Sequence, residues 1–254
     1  PPQQGIECNR LTDLLITNSK FTAKMFKKFL GRTTPVVFPP MCLPKQPSNQ
    51  DKKYVVMVNP SKAKGVDVVI YLASVLPHVM FKLVGAIGED ETYLEIQKHD
   101  NIIYCPHTDN IDEIYNDAKV VLFPSTLEES FGRVVVEAMA YGIPVIARDI
   151  GAVSSVVMNQ IILIDKNAPL ENWKIHLVKI INDVNYAKKH KNQAHDFAMK
   201  HFDKDMLLDS FAELMTRLLN KKSKYLPSLK PAQTIIVCSS GFHGVRTALE
   251  YANQ

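Results

Sequence analysis

Between Tyr54 and Ile164 the chain repeats one unit: a short apolar run, a loop, then a segment with apolar residues at helical spacing. The apolar runs fall at 54–58, 81–84, 102–104, 120–123, 144–147 and 161–164. They are too short for helices, and they do not alternate apolar with polar residues. Continuous short runs of this kind belong to strands covered on both faces of a parallel sheet. Helices are expected between them at 66–75, 90–98, 111–117, 131–141 and 153–158. The alternation predicts an α/β fold, a doubly wound parallel sheet with helices on both faces. Such sheets bind ligands beyond the carboxyl ends of their strands, so function is sought in the loops that follow each run.

The flanks differ from this middle. Asp13 to Ser19 reads as a strand running into a helix-capping serine, and a helix follows over 21–30 with Phe21, Met25, Phe26 and Phe29 on one face. Gly31 ends that helix, and Val36 to Pro40 reads as a short strand cut by prolines. The stretch 41–53 lacks periodicity and reads as a linker. After Ile164 the chain turns helical over 170–189, 192–201 and 205–219, then becomes a polar link over 220–233. The segment Thr234 to Val245 reads as a new strand, a glycine turn and a helix, the opening of a Rossmann-like unit. Three regions are expected: 1–45, 46–220 and 221–254.

With 46% hydrophobic and 22% charged residues, the chain has enough apolar matter for a sizeable core. A net charge of +4, spread over helix-like faces, argues against nucleic acid as a partner. Cys8, Cys42, Cys105 and Cys238 are far apart and form no CxxC pair, which argues against a disulfide framework or zinc site and suits reduced, intracellular thiols. No run is long enough to span a membrane. The expected location is cytoplasmic. The basic stretch Lys24 to Arg32 is read as a solvated face, with peripheral contact to an anionic membrane as its alternative.

The chemistry concentrates after the 120–123 strand. Glu137 sits inside an apolar run, Val134 to Ala140, where an uncompensated carboxylate is costly. Glu129 precedes it by eight residues. With a helix starting near Phe131, the amides of Phe131, Gly132, Arg133 and Val134 face the crevice and favour an anion such as a diphosphate. Eight residues of helix rise about 12 Å, too far for two carboxylates to share a proton or to act as a glycosidase pair. Carboxylates on either side of a diphosphate, accepting from hydroxyls, suit a nucleotide sugar. The plainer reading of Glu137 is a structural carboxylate paired with a neighbouring helix.

The run from Leu122 to Gly151, LFPSTLEESFGRVVVEAMAYGIPVIARDIG, resembles the signature of retaining GT-B glycosyltransferases of family 4, with its E-x7-E pair at Glu129 and Glu137. Asn59-Pro-Ser-Lys-Ala-Lys64-Gly65 resembles the first loop of that family's donor domain, and DEIYNDAKVVLFPS from Asp112 to Ser125 matches as well. The likeness extends over about 13–219. It implies that Glu129 contacts the donor sugar and Glu137 the ribose. Ser130, Phe131, Gly132, Arg133 and Val134 would then form the phosphate turn, and Lys64 would neutralise the departing diphosphate. Pro106 and His107 would wall the base. A UDP- or GDP-linked sugar is the implied donor, with no metal and no further cofactor. The acceptor would be a glycan, a lipid or a small molecule, held by an N-terminal domain in this or another chain.

Departures from that pattern are specific. Gly151-Ala-Val-Ser-Ser155 carries serine where the family has glutamate, and the glycine expected before Ile161 is missing. The basic residue that usually precedes the lysine has no match; Asn59, Ser61 and Lys62 stand nearest. Only a last strand and helix of an acceptor domain precede the 41–53 linker. The favoured account is part of a longer transferase with a second module from Thr234; the lesser one pairs the two ends in space. Asp203-Lys-Asp205 has the spacing of a metal-binding DxD but reads as helix caps, and Gly85-Ala-Ile-Gly88 reads as a turn. Two functions remain, a retaining glycosyltransferase and a donor-binding module inactive without its partner domain. A dehydrogenase is disfavoured, since no Gly-x-Gly-x-x-Gly follows the first strand.

Overall fold

A computed structural model describes residues 14–41, 43–44, 52–87, 90–225 and 235–238. Cys8, Cys42, Gly88, most of the expected linker and the Gly241-Phe-His-Gly244 turn lie outside the described residues. The chain divides into two compact units, one spanning Leu43–His201 and the other built from residues before and after it.

In the larger unit the strands are β2 (Tyr54–Val58), β3 (Phe81–Val84), β4 (Ile102–Cys105), β5 (Ala118–Phe123), β6 (Val145–Arg148) and β7 (Ile162–Ile164). They form one sheet in the order β4-β3-β2-β5-β6-β7, with every neighbouring pair parallel. The helices between and after them are α2 (Val66–Val75), α3 (Asp90–Ile96), α4 (Ile111–Tyr115), α5 (Arg133–Ala140), α6 (Val153–Val157), α7 (Leu170–Asn182) and α8 (Val184–His201). Val55, Met57, Val120 and Leu122 pack with Val69 of α2 and Trp173 of α7 in one buried layer. The alternate residues Val56 and Val121 are also fully buried, so both faces of the sheet are covered. Each buried aliphatic side chain contributes about 1.5–3 kcal/mol, and the lysines within the strands, Lys82 and Lys119, fall at positions that are only half-buried. The doubly wound α/β sheet expected from the sequence is the fold observed.

The smaller unit holds β1 (Leu14–Thr17), α1 (Lys20–Leu30), α9 (Lys204–Tyr225) and β8 (Ile235–Cys238). The Ser19 hydroxyl caps α1 by accepting from the Thr22 amide at 3.1 Å, and Gly31 closes it in the left-handed conformation. β8 lies parallel to β1, Leu14 opposite Ile235 and Thr17 opposite Cys238. The lesser account, in which the ends pair, is the arrangement found over these residues. A lone apolar strand leaves its backbone groups unpaired, and β1 supplies them with partners.

Several boundaries shift. The expected helix over 170–189 breaks after Asn182, where Asp183 is extended and its side chain caps the next helix at Tyr186. The polar link expected from Asn220 is helical as far as Tyr225. Val36 makes a single bridge to Thr17 in place of a strand. Residues from Phe202 onward belong to the smaller unit, not to the expected 46–220 region. There Phe202 packs on Phe38 at 5.3 Å between rings, and Met41 bridges to Asp203.

Candidate functional site

The sheet order reverses between β2 and β5, because β3 and β4 lie on one side of β2 while β6 and β7 continue from β5. A crevice opens at such a switch point, bordered here by the loops Asn59–Gly65 and Pro124–Gly132. The two loops are stitched together. Thr126 donates to the Ala63 carbonyl through its amide at 3.0 Å and its hydroxyl at 2.8 Å. A Cβ on Gly65 would stand 2.2 Å from the Pro124 carbonyl oxygen, so only glycine permits this approach. Arg148, at the end of β6, donates to the same carbonyl at 3.1 Å and to that of Lys166 at 2.8 Å, with its guanidinium over the Trp173 ring.

This stitching sets Lys64. The residue ends a 3-10 turn, Lys62–Lys64, whose cap is the Ser61 hydroxyl, accepting from the Lys64 amide at 3.3 Å. The Lys64 ammonium donates to Oε1 of Glu129 in a partly buried ion pair. Ser125 donates to the same oxygen at 2.9 Å. Oε2 of Glu129 accepts from no described residue. Behind Glu129 the loop after β6 presses in: Ala152 donates to the Glu129 carbonyl at 2.7 Å, and a Cβ on Gly151 would lie 2.4 Å from that oxygen. Asn59 takes a left-handed φ of 57° at the end of β2 and donates its amide to Val84 at 2.7 Å.

α5 begins at Arg133, not near Phe131, with Gly132 as a left-handed N-cap at φ 89°. Val135 turns its amide back to the Gly132 carbonyl at 3.0 Å. The amides of Gly132, Arg133 and Val134 are therefore the ones the helix leaves free. Phe131 is buried and belongs to the packing, with only its backbone near the turn. Because Glu129 lies in the loop, the 12 Å of helical rise between the two glutamates does not describe their spacing.

Glu137 is 13% exposed and is held by a residue from a neighbouring helix. Tyr115, at the end of α4, is fully buried and donates to Oε2 at 3.0 Å. Arg133 approaches Oε1 at 3.5 Å from an exposed position one turn earlier. Burial pushes the Tyr115 phenol well above its ordinary range, and the Glu137 charge pushes it further, so it stays a donor. Its ring packs on Tyr141 at 5.1 Å, and the Tyr141 hydroxyl is bound to Asp112. Burial, then that bond, raises the Tyr141 phenol too.

The structure thus joins Lys64 to Glu129 and sets both at the switch point with the α5 turn. Pro106 and His107 follow β4 and are exposed; His107 faces Asp109 at 3.2 Å and meets none of the other candidates. Asp203 accepts from the amides of Asp205 and Met206 at 3.1 Å, as a cap does. Sequence reasoning assigned no role to Tyr115, Ser125 or Arg148. The signals were there: a tyrosine inside a buried helix needs a hydroxyl partner, and an arginine ending an apolar strand needs acceptors. No helix among the described residues is long and apolar enough to cross a membrane.

Known proteins share this fold. The family model "Glycosyl transferases group 1" matches residues 43–197. The chain is 26% identical over 167 residues to the UDP-N-acetylglucosamine–peptide N-acetylglucosaminyltransferase GtfA subunit of Streptococcus agalactiae, covering 61% of this chain and 32% of that protein. It is 28% identical over 162 residues to an uncharacterized 41.2 kDa protein in the cps region of Klebsiella pneumoniae, covering 60% of this chain and 43% of that one. The chain therefore spans less than half the length of these relatives. The crystal structure of Anabaena HepE in complex with UDP and glucose superposes with a TM-score of 0.76 at 23% identity, over 85% of this chain and 66% of that one. That likeness shows the fold, that of a GT-B glycosyltransferase. As the matched region takes in the whole six-stranded sheet and more than half of the sequence, the chain belongs to the Glycosyl transferases group 1 family.

Proposed function

We propose that the Leu43–His201 unit is the nucleotide-sugar site of a retaining glycosyltransferase of family 4 type. It would move a hexose from a UDP- or GDP-linked donor to a glycan, lipid or small-molecule acceptor. The observation that carries this reading is the Lys64–Glu129 pair at the sheet's switch point, beside the free amides of α5. The diphosphate lies against the amides of Gly132, Arg133 and Val134, where helix-end dipoles favour negative charge. Lys64 turns to it when donor enters. The open oxygen of Glu129 accepts from sugar hydroxyls, and Oε1 of Glu137, released by Arg133, accepts from the ribose. Asn59 and Ser61 shape the entry loop, while Pro106 and His107 border the base.

The bond between the anomeric carbon and the phosphate oxygen then breaks. Its electron pair leaves on the diphosphate, where Lys64 and the amides stabilise it without a metal. The acceptor hydroxyl adds on the face that the diphosphate leaves and gives its proton to the departing diphosphate oxygen. A separate domain, in this or another chain, holds the acceptor, and the reaction takes place in the cytoplasm. HepE with UDP and glucose supports the nucleotide and the sugar as ligand classes.

Calorimetric titration with UDP-glucose, UDP-N-acetylglucosamine and GDP-mannose tests the reading. Binding to one base is expected, weakened roughly tenfold or more by Lys64→Ala, since charge-assisted hydrogen bonds to a desolvated anion are the strong ones. No binding to any donor would sink it. Binding without transfer or donor hydrolysis would favour the module that needs a partner domain.

A further inference from the structure

A carboxylate in an apolar helix must be compensated, and Glu137 is compensated unequally. Oε2 accepts a hydrogen bond of 3.0 Å from the Tyr115 hydroxyl. Among the described residues Oε1 has only Arg133, at 3.5 Å and from a side chain that is 69% exposed. The first contact has good hydrogen-bond geometry and no competing water, because Tyr115 is 0% exposed. The second is a loose surface ion pair that any polar ligand can replace. Tyr115 is itself immobilised. Its ring packs on Tyr141, and Tyr141 is tied back to Asp112 on the same helix as Tyr115. α4 thus grips α5 at the carboxylate and, through Tyr141, at its C-terminal cap.

From this we infer that Tyr115 is a positioning residue for the donor nucleotide. It holds Glu137 by Oε2 so that Oε1 is presented to the hydroxyls of a nucleotide ribose. The inference rests on the donor-site reading and deepens it, because it names Tyr115 as the residue that orients Glu137 toward the ribose hydroxyls. A purely structural Tyr115–Glu137 bond would serve the packing of α4 on α5 and be indifferent to the ribose. The two roles differ in one measurable quantity, the ability to tell a ribonucleotide from its deoxy counterpart.

The full chain is titrated with UDP and with 2′,3′-dideoxy-UDP, or with the GDP pair if GDP is the nucleotide bound. Losing a charge-assisted hydrogen bond in a partly buried site weakens binding about tenfold, so wild type should prefer the ribonucleotide by about that ratio. Tyr115→Phe keeps the ring and its packing, and should lose affinity for UDP alone, shrinking the ratio to about twofold. Glu137→Gln should shrink it as well, and Tyr115→Phe/Glu137→Gln should shrink it no further, since both changes act on one contact. If Tyr115→Phe keeps the wild-type ratio, or loses UDP and dideoxy-UDP equally, the positioning role is overturned while the donor site stands. A wild-type chain that binds neither UDP nor GDP overturns the donor reading and this proposal with it.

Discussion

Glu129 and Glu137 share one design and differ in what enforces it. Each commits one carboxylate oxygen to the protein and, among the described residues, leaves the other to a weaker contact or to none. Glu129 is held in a loop by a charge, a hydroxyl and the backbone of the loop after β6. Glu137 is held on a helix by a neutral phenol with an aromatic pair behind it. A loop has no ladder of its own to fix a side chain, so its neighbours must press against its backbone. A helix fixes the backbone already, and one hydrogen bond suffices to orient the side chain. The difference teaches where each carboxylate is vulnerable: Glu129 through glycines that contact neither ligand nor carboxyl group, Glu137 through one oxygen atom on Tyr115.

The largest expected effect breaks the Glu129 side. In Gly151→Ala the new Cβ would stand 2.4 Å from the Glu129 carbonyl oxygen and 2.5 Å from its amide nitrogen, at a left-handed φ of 60°. Neither neighbour is a flexible side-chain tip. Overlap with backbone plus the left-handed strain should cost roughly 3–5 kcal/mol, a large share of a domain's stability. Gly132→Ala supplies the control, since its φ is 89° but its nearest neighbour would be an ordinary 3.7 Å away. It should cost about 1–2 kcal/mol, the left-handed penalty alone. Urea midpoints measure both. Equal midpoints for the two variants would mean that the close approach at Glu129 is not what holds the loop.

Local order in this molecule was legible from residue patterns, and long-range pairing was not. The helix expected over 66–75 is α2, Val66–Val75, because its apolar spacing and the preceding Lys-Gly mark both face and start. The six strands lie where the short apolar runs lie, each to within two residues at either end. Glu137 was singled out because a charge among valines is anomalous wherever it occurs, and Glu129 because it precedes Glu137 by eight residues in the family signature. By contrast, Tyr115 and Glu137 are 22 residues apart, and no period connects them. The β1–β8 pairing joins residues near opposite ends of the chain, again beyond any local pattern. The start of α5 was misplaced because Gly132 was read as a residue of the helix and not as its left-handed cap. Where the glycine before Ile161 is missing, the turn forms anyway, with Met158 at φ 47° and Asn159 at φ 62°. Composition alone could not have revealed that substitution of strain for glycine.

An intermediate effect sharpens the comparison by separating charge from position. In the free site Lys64 is occupied by Glu129, so a nucleoside diphosphate must compete with an internal carboxylate. Glu129→Gln removes that competitor and should tighten UDP binding about three- to fivefold, the scale of a partly exposed ion pair. Transfer from the UDP-sugar should fall at the same time, because the amide is a weaker acceptor for the sugar hydroxyls. Simple relief of charge repulsion would also tighten UDP, so the variant is repeated in a Lys64→Ala background. There the gain should vanish. A gain that survives without Lys64 would show that the ion pair does not hold the ammonium away from the diphosphate.

The smallest effect belongs to the Glu137 side and bears on which partner governs it. Arg133 and Glu137 form a pair at helical i,i+4 spacing, but Arg133 is 69% exposed and the contact is 3.5 Å. Surface pairs of this kind contribute about 0.5 kcal/mol or less, so Arg133→Ala should lower the melting temperature by no more than about 2 °C. Tyr115→Phe should lower it by more, because a buried carboxylate oxygen loses its donor and no water reaches it in place. Differential scanning calorimetry on the two variants ranks the partners. If Arg133→Ala proves the more damaging, Glu137 is held by a surface charge after all, and its resemblance to Glu129, each anchored by a cation, would be closer than the buried phenol implies.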